Sequence, residues 1–431
     1  MDVLLAAVVV GCTSEHAAVP GSGANPHPVR LVRPVVAPLS PLAQIGRALF
    51  FDVRLSQSGR QSCASCHSPA RAYGPPDSGA VQMGGPGLRD QGARAVPSLR
   101  YLDRVPNFSI GPDRPEAENV NIGALAVQSN GAARPAKSAG GASSGGAMVP
   151  RGGLFWDGRV NTLQDQTMGP LFNPVEMANV EMASVAGRIR DAYGARLAVV
   201  LGTGRDVPDR RLIDEAMFAV ARFQVEDSTF HPYDSKYDAY LEGRAVLSPG
   251  EARGLALFEN PQKGNCAACH PSRPGADGRP PTFTDYQYEA LGVPRNHRLT
   301  ANRSPSYFDM GLCGPFRTDL AAATQYCGMF RTPSLRNTAV RGVYFHNGVY
   351  HTLEQVLAFY DFRDARPDSI YPVGPDGRVE PYDDLPPRYR RNVDTLDAPF
   401  GRRRGQGPAL SAAERRDLIA FLGTLTDGYR P

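Results

Sequence analysis

Two pentapeptides in this 431-residue chain combine two thiols and an imidazole at the same spacing. Residues 63–67 read Cys-Ala-Ser-Cys-His, and residues 266–270 read Cys-Ala-Ala-Cys-His. Two thiols one helical turn apart can each form a thioether with a porphyrin vinyl group, and the next imidazole can bind the iron. A zinc site would unite both motifs in one cluster, and a thiol redox site needs no histidine. The pattern therefore predicts two covalently bound c-type haems, held by Cys63, Cys66, His67, Cys266, Cys269 and His270.

The chain has seven cysteines, so three lie outside these motifs. Cys12 follows an apolar N-terminal run, as in a bacterial lipoprotein signal, although no Lys or Arg precedes it. We expect export to the periplasm, through a lipoprotein signal that lipidates Cys12 or through an ordinary export signal. Cys313 and Cys327 flank a polar stretch, which predicts a disulfide in an oxidising compartment; a thiolate iron ligand is the alternative.

Composition limits the remaining function classes. Hydrophobic residues make up 42% of the chain, which is enough for a buried core. The longest apolar run, residues 3–11, is too short to span a bilayer, so we expect membrane contact only through a lipid anchor. The formal net charge of +4 excludes a strongly basic nucleic-acid binder.

Capping signals place helices near both motifs. Ser40 before Pro41 predicts a helix start, and so do the capping-box pairs Ser248 with Glu251 and Ser411 with Glu414. The C-terminal helix is amphipathic and could pack against the helix before the second motif. Alternating strand patterns are missing, so we predict a mostly α fold with long loops.

The chain also repeats itself. A Pro-Ser-Leu-Arg segment follows each haem motif, and the sequences beginning at Phe155 and Phe345 match at an offset of 190 residues. We therefore predict two c-type cytochrome domains in tandem, made by internal duplication. The repeat and the composition of the chain predict a signal and tether at 1–38, an N-terminal domain at 39–235 and a C-terminal domain at 236–431. The N-terminal domain contains a flexible insertion at 113–153. Residues 362–409 read as an extended surface connection.

The two halves differ where a second iron ligand would lie. At the 190-residue offset Tyr360 falls opposite Pro170, and a proline side chain cannot bind iron. The first half has no histidine between His67 and His231, and its methionines are a weaker alternative. We expect haem two to be closed by His270 and Tyr360 and haem one to stay open to peroxide.

The open pocket is predicted to be lined by residues that follow Trp156. Gln166 can hydrogen-bond peroxide beside Pro170, and Glu176 can act as general acid and base. Position alone favours a simpler role for Glu176, as a carboxylate at a helix start. Trp156, the sole tryptophan, is either a core aromatic or an electron bridge. Its repeat equivalent is His346. We expect His346 to contact a propionate of the second haem or a residue that binds its iron, rather than bind the iron itself.

In combination these motifs resemble the bacterial diheme cytochrome c peroxidase family and, within it, the MauG-like branch. The resemblance runs from about Pro41 to the C-terminus, apart from the insertion. It implies that Trp156 lies between the haems and that Gln166 and Glu176 face the peroxide site. Typical peroxidases of the family have a histidine that blocks the first haem and a methionine where this chain has Tyr360. This chain lacks that histidine and has the tyrosine, and in both respects it resembles MauG. The family's calcium is doubtful here, because Ala95 stands where an asparagine ligand is expected.

These observations predict a diheme c-type peroxidase that reduces hydrogen peroxide without reductive activation. The oxidising equivalents would pass through Trp156 to the second haem. The electron donor would be a small cytochrome c or a cupredoxin. Alternatively, a MauG-like enzyme would oxidise Trp or Tyr side chains of an exported protein partner. The third possibility is a non-catalytic diheme electron-transfer cytochrome.

Overall fold

The helices of the first half form around the first haem motif. The computed structural model describes residues 23–112, 148–204 and 206–431. Ser40 caps the first helix, with its hydroxyl accepting from the Ala43 amide, and Pro41 opens that helix as predicted. The helices are α1 (Pro41–Phe50), α2 (Cys63–Cys66), α3 (Leu163–Phe172), α4 (Met182–Leu201) and α5 (Asp209–Glu226).

The second half contributes four more helices to the described part of the chain. Both predicted capping boxes form, at Ser248 with Glu251 and at Ser411 with Glu414. Together with short 3-10 turns, helices hold 36% of the described residues, so long loops make up more of the fold than helices do. These helices are α6 (Lys236–Leu241), α7 (Pro249–Glu259), α8 (Leu353–Phe362) and α9 (Ala412–Gly423).

Strands in the described residues are short and pair in antiparallel twos. The pairs are β1 (Met83–Gly84) with β2 (Asp90–Gln91), β3 (Ser109–Pro112) with β4 (Met148–Arg151), and β5 (Tyr288–Glu289) with β6 (Phe330–Arg331).

Each half has its own helix pair and apolar core. In the first half α1 crosses α5 so closely that a Cβ on Gly46 would meet the carbonyl of Ala219. In the second half α9 packs on α7, and a Cβ on Gly254 would meet the carbonyl of Asp417. Glycine at each crossing therefore lets two backbones approach, and the C-terminal helix packs next to the second haem motif as expected.

Helices α3 and α8 match in length and in the residue at their N-cap. Both are 10 residues long, and they start 190 residues apart, at Leu163 and Leu353. A threonine precedes each as its N-cap, and Phe155 and Phe345 before them both have positive φ, 65° and 62°. Position 170 on α3 therefore corresponds to position 360 on α8.

The tether predicted within residues 1–38 is wrong for residues 29–33. Residues 23–38 run along the second half, where Leu31 is 6% exposed and belongs to the same core as Phe421. The Val29 amide donates to the Leu241 carbonyl at 2.9 Å, and Arg33 pairs with Glu242. The burial of a single apolar residue cannot be predicted when no periodic pattern surrounds it. For this reason the composition of the segment did not indicate that it packs on the second half.

The predicted flexible insertion at 113–153 is wrong at its C-terminal end. Residues 148–151 form β4, and Val149 is buried. Backbone pairing with β3 overrides the weak local signal of a Gly- and Ala-rich stretch. The rest of the insertion, residues 113–147, lies outside the described residues, and so does Cys12.

The predicted surface connection at 362–409 is wrong for the buried part of this segment. Arg363 has a side chain that is fully buried and donates to the carbonyls of Leu291 and Asp394. Its guanidinium carbon lies 3.6 Å from the ring centroid of Phe400, which is also buried. The buried part of this segment therefore forms an inner wall of the second half.

No helix in the described residues is both long and apolar enough to cross a membrane.

Candidate haem and peroxide sites

The first haem motif is a single helical turn that presents an oriented histidine. Helix α2 carries Cys63 and Cys66, and His67 follows it. The Nδ1 atom of His67 lies 3.1 Å from the Tyr73 carbonyl. When Nδ1–H donates this hydrogen bond, Nε2 keeps its lone pair for a metal.

The second motif has the same arrangement on a 3-10 turn. Cys266–Ala268 form the turn, and Nδ1 of His270 lies 2.8 Å from the carbonyl of Phe283. Tyr73 and Phe283 both have positive φ, at 54° and 53°, which turns their carbonyls toward the two imidazoles. Each half therefore holds its histidine in the orientation that an iron ligand needs.

A cavity of about 270 Å³ opens beside the second motif. Its walls include Cys266, Cys269, His270 and Tyr360 together with Trp156. Two thiols outside any disulfide, an oriented imidazole and an apolar enclosure are the groups that a covalently attached haem requires, so these residues fit haem c. The first motif offers the same thiols and imidazole.

Tyr360 lies on α8 in the wall of this cavity, together with His270. Its ring stacks on Phe400 at a centroid distance of 5.4 Å and an interplanar angle of 24°. Burial raises the pKa of Tyr360 above its ordinary value, and the positive charge of Arg363 opposes that shift. The equivalent position on α3 is Pro170, which has no donor atom in its side chain.

Trp156 is hydrogen-bonded into both halves of the molecule. Its indole Nε1–H donates to the Ala95 carbonyl at 2.8 Å, and its own carbonyl accepts from the Arg331 amide at 2.9 Å. The Ala95 amide in turn donates to the His346 carbonyl at 2.7 Å. The indole is therefore held in one orientation at the wall of the second-haem cavity.

Gln166 and Pro170 lie four residues apart on α3 and so share one face of that helix. Gln166 is 6% exposed. Beyond the helix, the Met177 amide donates to the Pro170 carbonyl at 3.1 Å, which brings the neighbouring Glu176 back toward α3. Gln166 and Pro170 therefore lie on α3, and Glu176 lies in the segment that the Pro170 carbonyl holds against this helix.

Glu176 is a partly buried carboxyl with few partners. Asn173 Nδ2 donates to its Oε1 at 2.7 Å. Burial raises the pKa of Glu176, while the charge of Arg159 and the Asn173 hydrogen bond oppose that rise. The carboxylate also lies near enough to Cys66 to raise the pKa of that thiol, secondary to burial. Glu176 is therefore close to the first haem motif and able to exchange a proton.

The surroundings of Ala95 do not fit a calcium ion. The side chain of Ala95 has no oxygen, and its carbonyl accepts the Trp156 hydrogen bond. The adjacent Arg94 donates to both oxygens of Asp309, at 2.6 and 2.7 Å, and to Asp157 at 2.7 Å. A guanidinium thus neutralises the nearby carboxylates that a hard cation would need. The described residues contain no cluster of three or more His, Cys, Asp or Glu able to hold a metal.

His346 is buried at the cavity wall and stacks on Phe330 at 3.6 Å between ring centroids. Its Nε2 lies 3.9 Å from Asp384 Oδ2 and has no hydrogen-bond partner. Burial lowers the pKa of His346 to about 4 and raises the pKa of Asp384 to about 7. Sequence reasoning did not identify Asp384, Asp309 or Arg94, because no local motif links positions so distant along the chain.

Cys313 and Cys327 are paired as a disulfide, with 4.9 Å between their Cα atoms. A disulfide sulfur is not a thiolate, so the alternative role as iron ligand does not apply. The remaining described cysteines are the four of the two haem motifs, and none of them is in a disulfide.

Comparisons with known proteins agree with this architecture. A family model of di-haem cytochrome c peroxidases matches residues 40–246. The methylamine utilization protein MauG of Paracoccus denitrificans is 33% identical over 403 residues, which cover 90% of both proteins. A cytochrome c551 peroxidase of Nitrosomonas europaea is 28% identical, over 77% of this chain and 75% of that protein. The crystal structure of the diheme peroxidase BthA from Burkholderia thailandensis has 36% identity and a TM-score of 0.74, over 94% of both chains.

The fold and the two motifs thus define a diheme protein built for redox chemistry. The chain belongs to the MauG-like di-haem cytochrome c peroxidase family and is an oxidoreductase. Its fold is that of a diheme peroxidase.

Proposed function

We propose that this enzyme reduces hydrogen peroxide at an open first haem and needs no reductive activation. The observation that carries the proposal is the difference between two equivalent helices. Tyr360 on α8 lies in the cavity wall with His270, whereas α3 has Pro170 at the same position. One haem therefore has a second protein ligand available, and the other keeps a position for peroxide.

The side chains around the first haem handle protons and orientation. When bound, haem supplies the redox-active iron that reacts with peroxide. The carboxylate of Glu176 takes the proton from one peroxide oxygen and delivers it to the other, which then leaves as water. The Gln166 amide hydrogen-bonds the bound peroxide. Complete reduction of one peroxide consumes two electrons and two protons and yields two waters.

Trp156 is proposed to carry oxidising equivalents between the two haem sites. Its hydrogen bonds to Ala95 and Arg331 hold the indole in place, and its ring borders the second-haem cavity. His346 is proposed to support the second haem. Its unpaired Nε2 can donate to or accept from a haem carboxylate.

We infer that the two halves arose by duplication. The equivalence of α3 and α8, the matching N-caps, and the paired crossings of α1 with α5 and of α7 with α9 all support this. The domain boundary at 235/236 agrees with the start of α6, whose Tyr237 packs in the second-half core.

We propose that the enzyme works outside the cytoplasm. Its disulfide and its covalent haem motifs both suit an exported protein. Cys12 is the proposed lipid anchor, with an ordinary export signal as the alternative.

The oxidising equivalents have two candidate destinations. A small cytochrome c or cupredoxin would be the electron donor of a detoxifying peroxidase. The similarity to MauG favours a second candidate, the oxidation of Trp or Tyr side chains on an exported protein partner.

Adding a histidine that can bind the first haem iron tests the proposal that this haem is open. Pro170→His places an imidazole where α8 carries Tyr360, so we expect it to close the first haem. The as-isolated ferric protein should turn over peroxide at once, and the Pro170→His protein should need prior reduction or react far more slowly. Pro170→Ala is the matched control and should stay active. Fast turnover by the Pro170→His protein, or a wild type that reacts only after reduction, would contradict the proposal.

A further inference from the structure

The net positive charge of the chain is concentrated in one segment. Residues 386–407 contain six arginines and two aspartates, which makes their net charge +4, equal to that of the whole chain. The rest of the sequence is therefore neutral overall. We call these side chains the arginine patch: Arg388, Arg390, Arg391, Arg402, Arg403 and Arg404.

The arginines of the patch belong to a segment that lines the cavity beside the second haem motif. Asp394, Asp397 and Phe400 from the middle of the segment line the cavity. Two contacts fix the segment to α8 and its C-terminal end: Arg363 donates to the carbonyl of Asp394, and Asp364 accepts from the Gly401 amide at 2.9 Å. The two groups of arginines flank these cavity-lining residues on either side in sequence.

The patch is largely exposed and largely unneutralised. Arg388, Arg391, Arg403 and Arg404 are exposed. Of the six arginines, only Arg404 has an ion-pair partner within the described residues, Asp368 at 4.0 Å. A concentrated, unpaired charge of one sign attracts a partner of the opposite sign and speeds its encounter.

We propose that the arginine patch is the docking surface for an acidic protein that exchanges electrons with the second haem. The proposal rests on the function proposed above, because it assumes that electrons enter or leave at that haem. A protein partner fits better than an anionic membrane, since the segment between residues 393 and 408 holds no amphipathic helix to insert into lipid.

The test neutralises part of the patch and compares it with a matched charge change elsewhere. The patch variant is R402Q/R403Q/R404Q. The control variant is R196Q/R210Q/R211Q, on the outer faces of α4 and α5 in the first half, which removes the same three charges. The probes are two small reduced cytochromes c of similar potential, one acidic and one basic. Their peroxide-dependent oxidation is followed from low to physiological ionic strength, and their binding to the haem-loaded protein is followed by titration calorimetry.

For the wild type we expect faster oxidation and tighter binding of the acidic cytochrome, both weakened by salt. The patch variant should lose about tenfold in the rate with the acidic probe at low ionic strength, and its salt dependence should flatten. The basic probe should not lose rate, and the control variant should resemble wild type.

An unchanged rate and affinity for the acidic cytochrome in the patch variant would overturn the proposal, and so would an equal loss in the control variant. Loss of binding to vesicles of mixed neutral and anionic phospholipid, without loss for the acidic cytochrome, would assign the patch to a membrane instead. Peroxide turnover with guaiacol reports the proposed function separately. If guaiacol is not oxidised while the patch still controls binding of the acidic probe, the peroxidase proposal fails and the docking surface stands.

Discussion

The proton transfer assigned to Glu176 gives the sharpest prediction about the chemistry. Glu176→Gln keeps the size and the hydrogen-bonding capacity of the side chain but removes its ability to accept a proton. Positioned general acid–base groups contribute about 100-fold to 10,000-fold to a rate. We therefore expect the first reaction with peroxide, followed by stopped-flow spectroscopy of the ferric enzyme, to slow by at least about 100-fold.

The pH dependence of the same reaction has a defined sign. The active form of Glu176 is the carboxylate, so the wild-type rate rises with pH through the pKa of this group. Because burial raises that pKa, the rise should come at a higher pH than for an exposed glutamate. The Glu176→Gln rate should be flat over that range.

The hydrogen bond from Asn173 gives this prediction a magnitude. Nδ2 of Asn173 donates to Glu176 Oε1 at 2.7 Å, and it stabilises the charged form. A hydrogen bond to a charged group contributes about 1.5–3 kcal/mol. Asn173→Ala should therefore move the midpoint of the pH profile upward, because the charged form of Glu176 loses this stabilisation.

The matched control is Glu181→Gln, because Glu181 is an exposed glutamate near the same loop. It should leave both rate and profile unchanged. A Glu176→Gln protein with the wild-type rate and the wild-type pH profile would refute the assignment.

Three further predictions concern the second haem, the tryptophan and the fold. Tyr360→Phe should change the low-spin ferric signal in electron paramagnetic resonance and leave the high-spin signal in place; an unaltered low-spin signal would contradict the ligand assignment. Trp156→Phe should leave peroxide binding intact but sharply slow oxidation of the electron donor, and an unchanged donor rate would exclude the bridging role. Asp238→Asn removes the charge that faces Arg336, where both side chains are 0% exposed, and should lower the free energy of unfolding by about 3–5 kcal/mol in denaturant titrations. The pair of Arg253 with Asp417 is the comparison, since Arg253 is exposed and Asp417→Asn should cost far less.

Features with local chemistry could be predicted from sequence. A capping box needs only a serine and a glutamate three residues apart, so the starts of α7 and α9 followed from Ser248 and Ser411. The repeat offset of 190 residues likewise predicted that Tyr360 and Pro170 occupy equivalent helical positions.

Features that depend on distant contacts could not be predicted. Arg94 and Asp309 are 215 residues apart, and nothing near either position indicates their hydrogen bonds. Leu31 lies in a stretch without periodicity, and only the second-half core explains its burial. Arg363 looks like a surface arginine in sequence, yet it is buried because backbone carbonyls and Asp364 satisfy its donors.

The central claim is that the two haems differ in the number of protein ligands. Electron paramagnetic resonance of the oxidised, haem-loaded enzyme measures this difference most directly. We expect one high-spin ferric signal, from the haem held by His67 alone, beside one low-spin signal from the haem held by His270 and Tyr360. Two low-spin signals would contradict it, because neither iron would then have a position open to peroxide.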